Sequence, residues 1–258
     1  MKGRLLLATR DKTISAILGL IVVLLLLVGC EQPGEALFAS CDFSMNQPEG
    51  FNSSTWVVVG SSTAVGAGAS SYEYSVMGLL SAELAKSSIS LVNIAQGGLV
   101  SYQVLPDECV LPASRLSFSI VNGANLSAAL EYRPELIIVS LPSNDMAVGF
   151  SDTEILNNFE QMHRYSIATG IPILFLGFQP RAYEDERWRR VEQLNAVLAE
   201  RYDECWVDVL SLLSGQNGML DAEFNYDGVH LNNSGHKILY DAILNYIDGN
   251  RIMNCRRI

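Results

Sequence analysis

TWVVVGSSTAVGAG, residues 55–68, is the stretch whose reading decides the fold. An apolar, β-branched run stops at Gly60, Ser61, Ser62 and Thr63 follow at once, and Gly66 and Gly68 close the segment. A run this continuously apolar suits a strand covered on both faces of a parallel sheet. Four more such runs follow: ISLVNIA (89–95), ELIIVSL (135–141), PILFLGF (172–178) and CWVDVL (205–210). The stretches between them predict helices over 72–86, 115–131, 152–168 and 184–202, with a last one over 233–248. Ser151-Asp152-Thr153-Glu154 supplies capping residues where the third of these should begin. Strand-to-strand spacings of roughly 30–45 residues match βαβ units, so the expected class is a doubly wound α/β fold.

Length and composition agree with one such domain. The chain has 258 residues, 49% of them hydrophobic and 17% charged, enough to bury one sizeable core. A formal net charge of −11 gives a nucleic-acid role no electrostatic support. The first residues stand apart. Lys2, Arg4, Arg10 and Lys12 form a basic leader, and ISAILGLIVVLLLLVG (14–29) follows. That run is shorter than the ~20 apolar residues a membrane-spanning helix needs, and it suits a signal-peptide core. It ends in Leu27-Val28-Gly29-Cys30, which resembles a bacterial lipobox. The resemblance implies cleavage after Gly29 and lipidation of Cys30, with an uncleaved signal anchor as the alternative. Residues 1–29 carry four basic groups and one acidic group, so their removal would leave −14. Residues 30–54, with Pro33, Gly34, Pro48 and Gly50, read as a tether, and the domain is expected over 55–258.

With Cys30 lipidated, Cys41, Cys109, Cys205 and Cys255 remain. An even number in an exported protein permits two disulfides. The expected pairing is Cys41–Cys255, tying the ends of the domain, with Cys109–Cys205. Buried thiols are the alternative. No cysteine or histidine spacing suggests zinc, and no metal or cofactor is expected.

Doubly wound sheets place their sites at the carboxyl ends of strands. The residues to inspect are therefore Gly60-Ser61-Ser62, Gln96-Gly97-Gly98, Pro142-Ser143-Asn144-Asp145 and Gln179-Pro180-Arg181. The first turn does not read as a phosphate loop. No lysine follows Gly60 before Lys86, and Gly66-Ala67-Gly68 lacks the third glycine of a dinucleotide fingerprint. A nucleophile is the other reading, and a serine needs a base. His163 falls in a helix interior in EQMHRYS, and His236 in SGHKIL reads as helix surface. His230, in YDGVHLNNSGH, follows Asp227 by three residues. A carboxylate at that spacing in one turn can hold the imidazole through Nδ1 and leave Nε2 as base.

These blocks together resemble the SGNH/GDSL hydrolases. That family has its serine in a Gly-Asp-Ser turn after the first strand, a glycine after the second, an Asn-Asp pair after the third and a DxxH before the last helix. Here Gly60-Ser61-Ser62, Asn93-Ile94-Ala95-Gln96-Gly97-Gly98, Ser143-Asn144-Asp145 and Asp227-Gly228-Val229-His230 stand in that order across residues 55–248. The resemblance implies a three-layer, flavodoxin-like fold around a five-stranded parallel sheet. It implies Ser62 as nucleophile, His230 as base and Asp227 as its orienting carboxylate. The oxyanion hole would be the N–H groups of Ser62 and Gly98 with the Asn144 side chain, and Asp145 would brace its loop. Ser61 stands where the family usually has aspartate, and Pro142 where it often has glycine. The register favours Ser62 over Ser61.

The implied activity is hydrolysis of carboxylic acyl esters by a serine enzyme of the cell envelope, anchored to a membrane through its lipid. Substrates of the family include O-acetylated sugars, lysophospholipids, thioesters and small aryl esters. Leu99, Val100, Tyr102, Met146, Val148 and Phe150 would then lie near the site as a small acyl pocket or as packing. Arg181 would bind an anionic or sugar hydroxyl group, or make a surface salt bridge. A monomer is expected. The alternatives are an idle envelope binding protein or an acyltransferase on the same fold.

Overall fold

The computed structural model describes residues 36–43, 54–141, 143–182, 185–248 and 255. The leader, Cys30, most of the tether and Pro142 lie outside these residues. Five parallel strands form one sheet: β2 (Thr55–Gly60), β3 (Ser90–Asn93), β5 (Leu136–Ser140), β6 (Ile173–Leu176) and β7 (Trp206–Val207). Their order in space is β3-β2-β5-β6-β7. The chain runs outward once from β2, then crosses back and continues through β5 to the other edge. The doubly wound expectation thus holds, with the order reversal next to β2.

Alternation along the strands divides the core in two. Val57, Val59, Ile137, Val139, Ile173, Phe175 and Trp206 face one side. Trp56, Val58, Leu136, Ile138, Leu174, Leu176 and Val207 face the other. On the first side pack α5 (Asp152–Thr169), through Ile155, Phe159 and Met162, and α6 (Asp185–Tyr202), through Val191, Leu194 and Leu198. On the second pack α2 (Val76–Ala85), through Met77, Leu80 and Leu84, and α8 (Asn233–Asp248), through Leu239, Tyr240 and Ile243. The i, i+3, i+4, i+7 spacing from His236 to Ile243 is what lets α8 bury one stripe. Covering on both faces explains why all residues of β2, β5 and β6 are buried.

α5 starts as expected, with a capping box. Ser151 Oγ accepts from Glu154 N, and Glu154 Oε2 accepts from Ser151 N at 2.8 Å. The helix expected over 115–131 is different. A 3-10 segment spans Ala113–Phe118, and α3 covers only Leu126–Glu131. Gly123 turns the chain at φ 81°, and Asn125 caps α3 by accepting from Ala128 N. An Asn cap is a helix start, so the apolar spacing upstream could not be continued as helix.

Two further corrections concern the ends. The stretch expected as tether contains β1 (Ser40–Cys41), which pairs antiparallel with β4 (Cys109–Val110). Ala39 and Cys41 are buried there. The disulfides join Cys41 to Cys109 and Cys205 to Cys255, with Cα atoms 4.1 and 5.3 Å apart. The pairing Cys41–Cys255 with Cys109–Cys205 is therefore wrong. Cys41 and Cys109 are direct cross-strand partners, so their side chains stand next to each other on one face of the ribbon.

Candidate active site

The carboxyl ends of β2 and β5 and two long loops meet at one place. β2 ends at Gly60, and Ser61 N donates to Ser140 O at 2.9 Å, locking the turn onto β5. Ser61 is fully buried, and its Oγ accepts from Asn144 Nδ2 at 2.7 Å. Ser62 opens α1 (Ser62–Val65) and is half-buried. The N–H groups of a first helical turn have no intrahelical acceptor, so the Ser62 amide is available at the helix start. Of the two serines, only Ser62 has access to solvent.

Asn144 begins the short α4 (Asn144–Ala147) after β5. Its Nδ2 also donates to Leu99 O at 2.9 Å, and its Oδ1 accepts from Arg181 Nη2. One side-chain amide thus spans the serine turn and the loop that carries Gly98. Gly98 is exposed and sits at φ 83°, a conformation that favours glycine, with open space where a Cβ would be. Asp145 points the other way. It is buried, and its Oδ1 accepts from Ser101 N at 2.8 Å, while Asn158 Nδ2 donates to Ser101 Oγ. Burial pushes the Asp145 carboxyl up to about 6 although the Ser101 hydrogen bonds oppose it. Asp145 therefore braces the Gly98 loop from beneath.

The histidine arrives on the loop before α8. His230 Nδ1 lies 2.8 Å from Asp227 Oδ2, and Asp227 Oδ1 accepts from His230 N at 2.8 Å and from Val229 N at 3.0 Å. Bonding to the His230 side chain, then to its backbone N–H, holds Asp227 down at about 2. An ionised carboxylate on Nδ1 places the ring proton there and leaves Nε2 as an acceptor. Among the described residues, the Ser62 hydroxyl makes no hydrogen bond to the His230 ring. Such contacts are often long in unliganded sites and close with substrate.

Loop and turn are nonetheless held together. Gly68, at φ 90°, passes so close that a Cβ would sit 2.2 Å from Leu231 O and 3.1 Å from His230 Cβ. His236, expected on the helix surface, is fully buried instead. Its Nδ1 accepts from Val76 N at 3.3 Å and its Nε2 pairs with Ala67 O at 3.1 Å, fastening α8 to the serine turn and to α2. His163 is half-buried on α5, its ring 5.3 Å from that of Tyr202.

Arg181 is only 9% exposed and donates to Asn144 Oδ1, so it is held within the site rather than on the open surface. Leu99, Val100, Tyr102, Met146 and Phe150 are buried in the core on the α5 side, and only Val148 is exposed. The apolar loop residues are packing. Gln179, buried two positions before Arg181, contacts three of the loops; the sequence placed it at a strand end but gave it no role. Its partners lie 36 to 116 residues away, beyond any local pattern.

A family model of the GDSL-like lipase/acylhydrolase family matches residues 58–238, from within β2 to within α8. The chain belongs to this family. It is a carboxylic ester hydrolase of the GDSL type. Similar solved structures include a lipolytic protein of the G-D-S-L family from Desulfitobacterium hafniense DCB-2, at 13% identity and TM-score 0.57, covering 75% of this chain and 99% of that one. An acylhydrolase from Bacteroides fragilis NCTC 9343 has 20% identity and TM-score 0.57, with 81% and 92% covered. The psychrotrophic esterase EstA from Pseudoalteromonas sp. has 18% identity and TM-score 0.54, with 76% and 97% covered. At these identities the likeness is one of fold. No curated protein matches the chain.

Proposed function

We propose that this GDSL hydrolase cleaves short acyl esters through a Ser62–His230–Asp227 triad. The observation that carries this is the Asp227–His230 pair, fixed through Nδ1 and two backbone N–H groups, on a loop that packs against Gly68 of the serine turn, where Ser62 is accessible and Ser61 is not. His230 Nε2 takes the Ser62 proton as Oγ attacks the ester carbonyl, and returns it to the leaving alcohol. Water then frees the acyl enzyme by the same route. The N–H groups of Ser62 and Gly98 receive the oxyanion, and Asn144 joins them when the N–H that it gives to Ser61 Oγ turns to the substrate. Arg181, on Asn144 Oδ1, holds that amide in orientation and polarises it toward its N–H side.

Two features support a small acyl group, an O-acetyl or short acyl ester. The apolar loop residues that could have lined a long channel are spent in the core. Gly97 and Gly98 leave the mouth of the site exposed. The two disulfides suit an oxidising compartment. Among the described residues no helix is long and apolar enough to cross a membrane. Attachment would rest on a lipid at Cys30, tested by metabolic labelling with a fatty-acid analogue, which Cys30→Ser should abolish.

The test of function is turnover of p-nitrophenyl esters of graded chain length by residues 31–258, beside Ser62→Ala and Ser61→Ala. The reading expects fastest turnover at two to four carbons, loss with Ser62→Ala and retention with Ser61→Ala. Absence of turnover from folded protein would favour a binding role, and product transfer to added alcohols over water would favour an acyltransferase.

A further inference from the structure

We infer that Gln179 is a positioning residue that sets the distance between the serine turn and the histidine loop; the inference rests on the hydrolase reading above. Gln179 follows β6 and is 2% exposed. Its Oε1 accepts from Thr63 Oγ1 at 2.7 Å, and Thr63 is the residue after Ser62. Its Nε2 donates to Val229 O, and Val229 is the residue before His230. Its own carbonyl accepts from Ser143 Oγ at 2.6 Å, and Ser143 precedes Asn144. One buried residue therefore touches the immediate neighbour of each of Ser62, His230 and Asn144.

The orientation of this amide follows from its partners. A carbonyl oxygen can only accept, so the Nε2 side must face Val229. Oε1 then faces Thr63, whose hydroxyl must donate. Only a side chain carrying both a donor and an acceptor at this spacing can bridge the two. β6 and β2 are not neighbours in the sheet, because β5 lies between them. The bridge is thus a tie across the sheet's end that the strand pairing does not itself provide. Ala182 N donating to Gly228 O at 3.1 Å adds a second tie from the same segment to the histidine loop. That second tie leaves the serine side untouched; beside the Gly68 and His236 contacts, Gln179 is the side chain that joins the immediate neighbours of Ser62 and His230 directly.

The role can be separated from a general stabilising one. Gln179→Leu removes both hydrogen bonds, and Thr63→Val removes one with little change in shape. Gln179→Glu changes the chemistry by one atom. As a carboxylate it repels Val229 O. Once protonated it has an O–H to donate there and a carbonyl to accept from Thr63, which restores the bridge. Burial raises the pKa of such a carboxyl, so the restoration falls within a usable range. Arg181, Asp227 and His230 are the charged or titratable groups of the adjoining segments. They are present in wild type as well, so the ratio of the two enzymes isolates residue 179.

The experiment measures kcat and KM for p-nitrophenyl acetate from pH 8 to pH 5.5, with folded fraction followed by circular dichroism. A misplacement of about 1 Å between reacting groups is worth on the order of 10²-fold in rate. We expect kcat to fall by that order in Gln179→Leu and roughly tenfold in Thr63→Val, with KM within a factor of about two. The double variant should be no slower than Gln179→Leu, because both remove the same bridge. The ratio of Gln179→Glu to wild-type kcat should rise as pH falls. A folded Gln179→Leu with wild-type kcat, or a pH-independent Glu ratio, would overturn the inference. If Gln179→Leu does not fold, the Thr63→Val and Gln179→Glu measurements decide alone. Wild-type protein without turnover would instead sink the hydrolase reading.

Discussion

Ser61 and Ser62 are adjacent yet lie in different environments. Ser61 Oγ is a buried acceptor for Asn144, and Ser62 is the accessible hydroxyl at the start of α1. Asn144→Ala would remove the proposed oxyanion donor and the bonds that Asn144 makes to Ser61, Leu99 and Arg181. The expected cost is ~10²–10³-fold in kcat, as for similar donors, read from ester hydrolysis with KM followed alongside. Asp227→Asn is expected to be more severe, at roughly 10³–10⁴-fold. An amide would donate to Nδ1 and force the ring proton onto Nε2, leaving no base. Since Asp227 is held at about 2, it stays ionised through any practical assay, and the acid limb of a pH–rate profile should show no contribution from it. Serine at position 61, where aspartate was the expected residue, also shows what sequence could convey here. The serine pair and the DxxH were legible because they are local. Gln179 and Arg181 were legible as strand-end residues, but their bonds to Thr63, Val229 and Asn144 were not, because those partners lie far away in the chain.

At the scale of elements, the joint between α8 and the serine turn is the most consequential contact. Burial lowers the pKa of His236 below 6.5, against the pull of Ala67 O. Since Nδ1 accepts from Val76 N, the neutral ring carries its proton on Nε2 toward Ala67. The unfolded chain takes up a proton near 6.5 that the folded chain refuses until lower pH. Stability from this group is therefore complete above that pH and is lost as pH falls through the lowered folded value. Asp145 has the opposite sign. Its carboxyl, raised from 3.8 to about 6, gives stability that is complete below 3.8 and lost as pH rises through about 6. Urea unfolding of wild type and His236→Gln at pH 7.5 and 5.5 separates them. The wild type should lose more stability than the variant on going to pH 5.5, and equal losses would contradict the assignment. Gly68→Ala belongs to the same joint. Its Cβ would strike Leu231 O at a φ that disfavours side chains, so kcat should fall as the histidine loop is displaced, and the thermal midpoint should drop by ~2–4 °C for each kcal/mol lost. The helices α5, α6 and α8 were legible from their apolar stripes and caps. The 113–131 stretch was not, because apolar spacing continued through Gly123 and Asn125, where local hydrogen bonding ends any helix.

For the molecule as a whole, the five buried runs carried the fold. A strand buried on both faces has no competing reading once runs of that length recur with helices between them. The disulfide pairing was hidden, because it depends on two strands of two residues each, too short to show a period. Mass spectrometry of a non-reduced digest should return peptides joining Cys41 to Cys109 and Cys205 to Cys255, and any other pairing would contradict the fold at β1. Reducing either bond is expected to cost ~2–5 kcal/mol in denaturant unfolding. The central claim is that this fold presents Ser62 to His230 as a nucleophile. The most direct measurement is fragmentation mass spectrometry after treatment with a reactive phosphonate ester, the class of inhibitor seen with EstA. The account predicts a single adduct on Ser62, retained in Ser61→Ala and lost in Ser62→Ala and His230→Ala. An adduct on Ser61, or label on Ser62 that survives loss of His230, would contradict it.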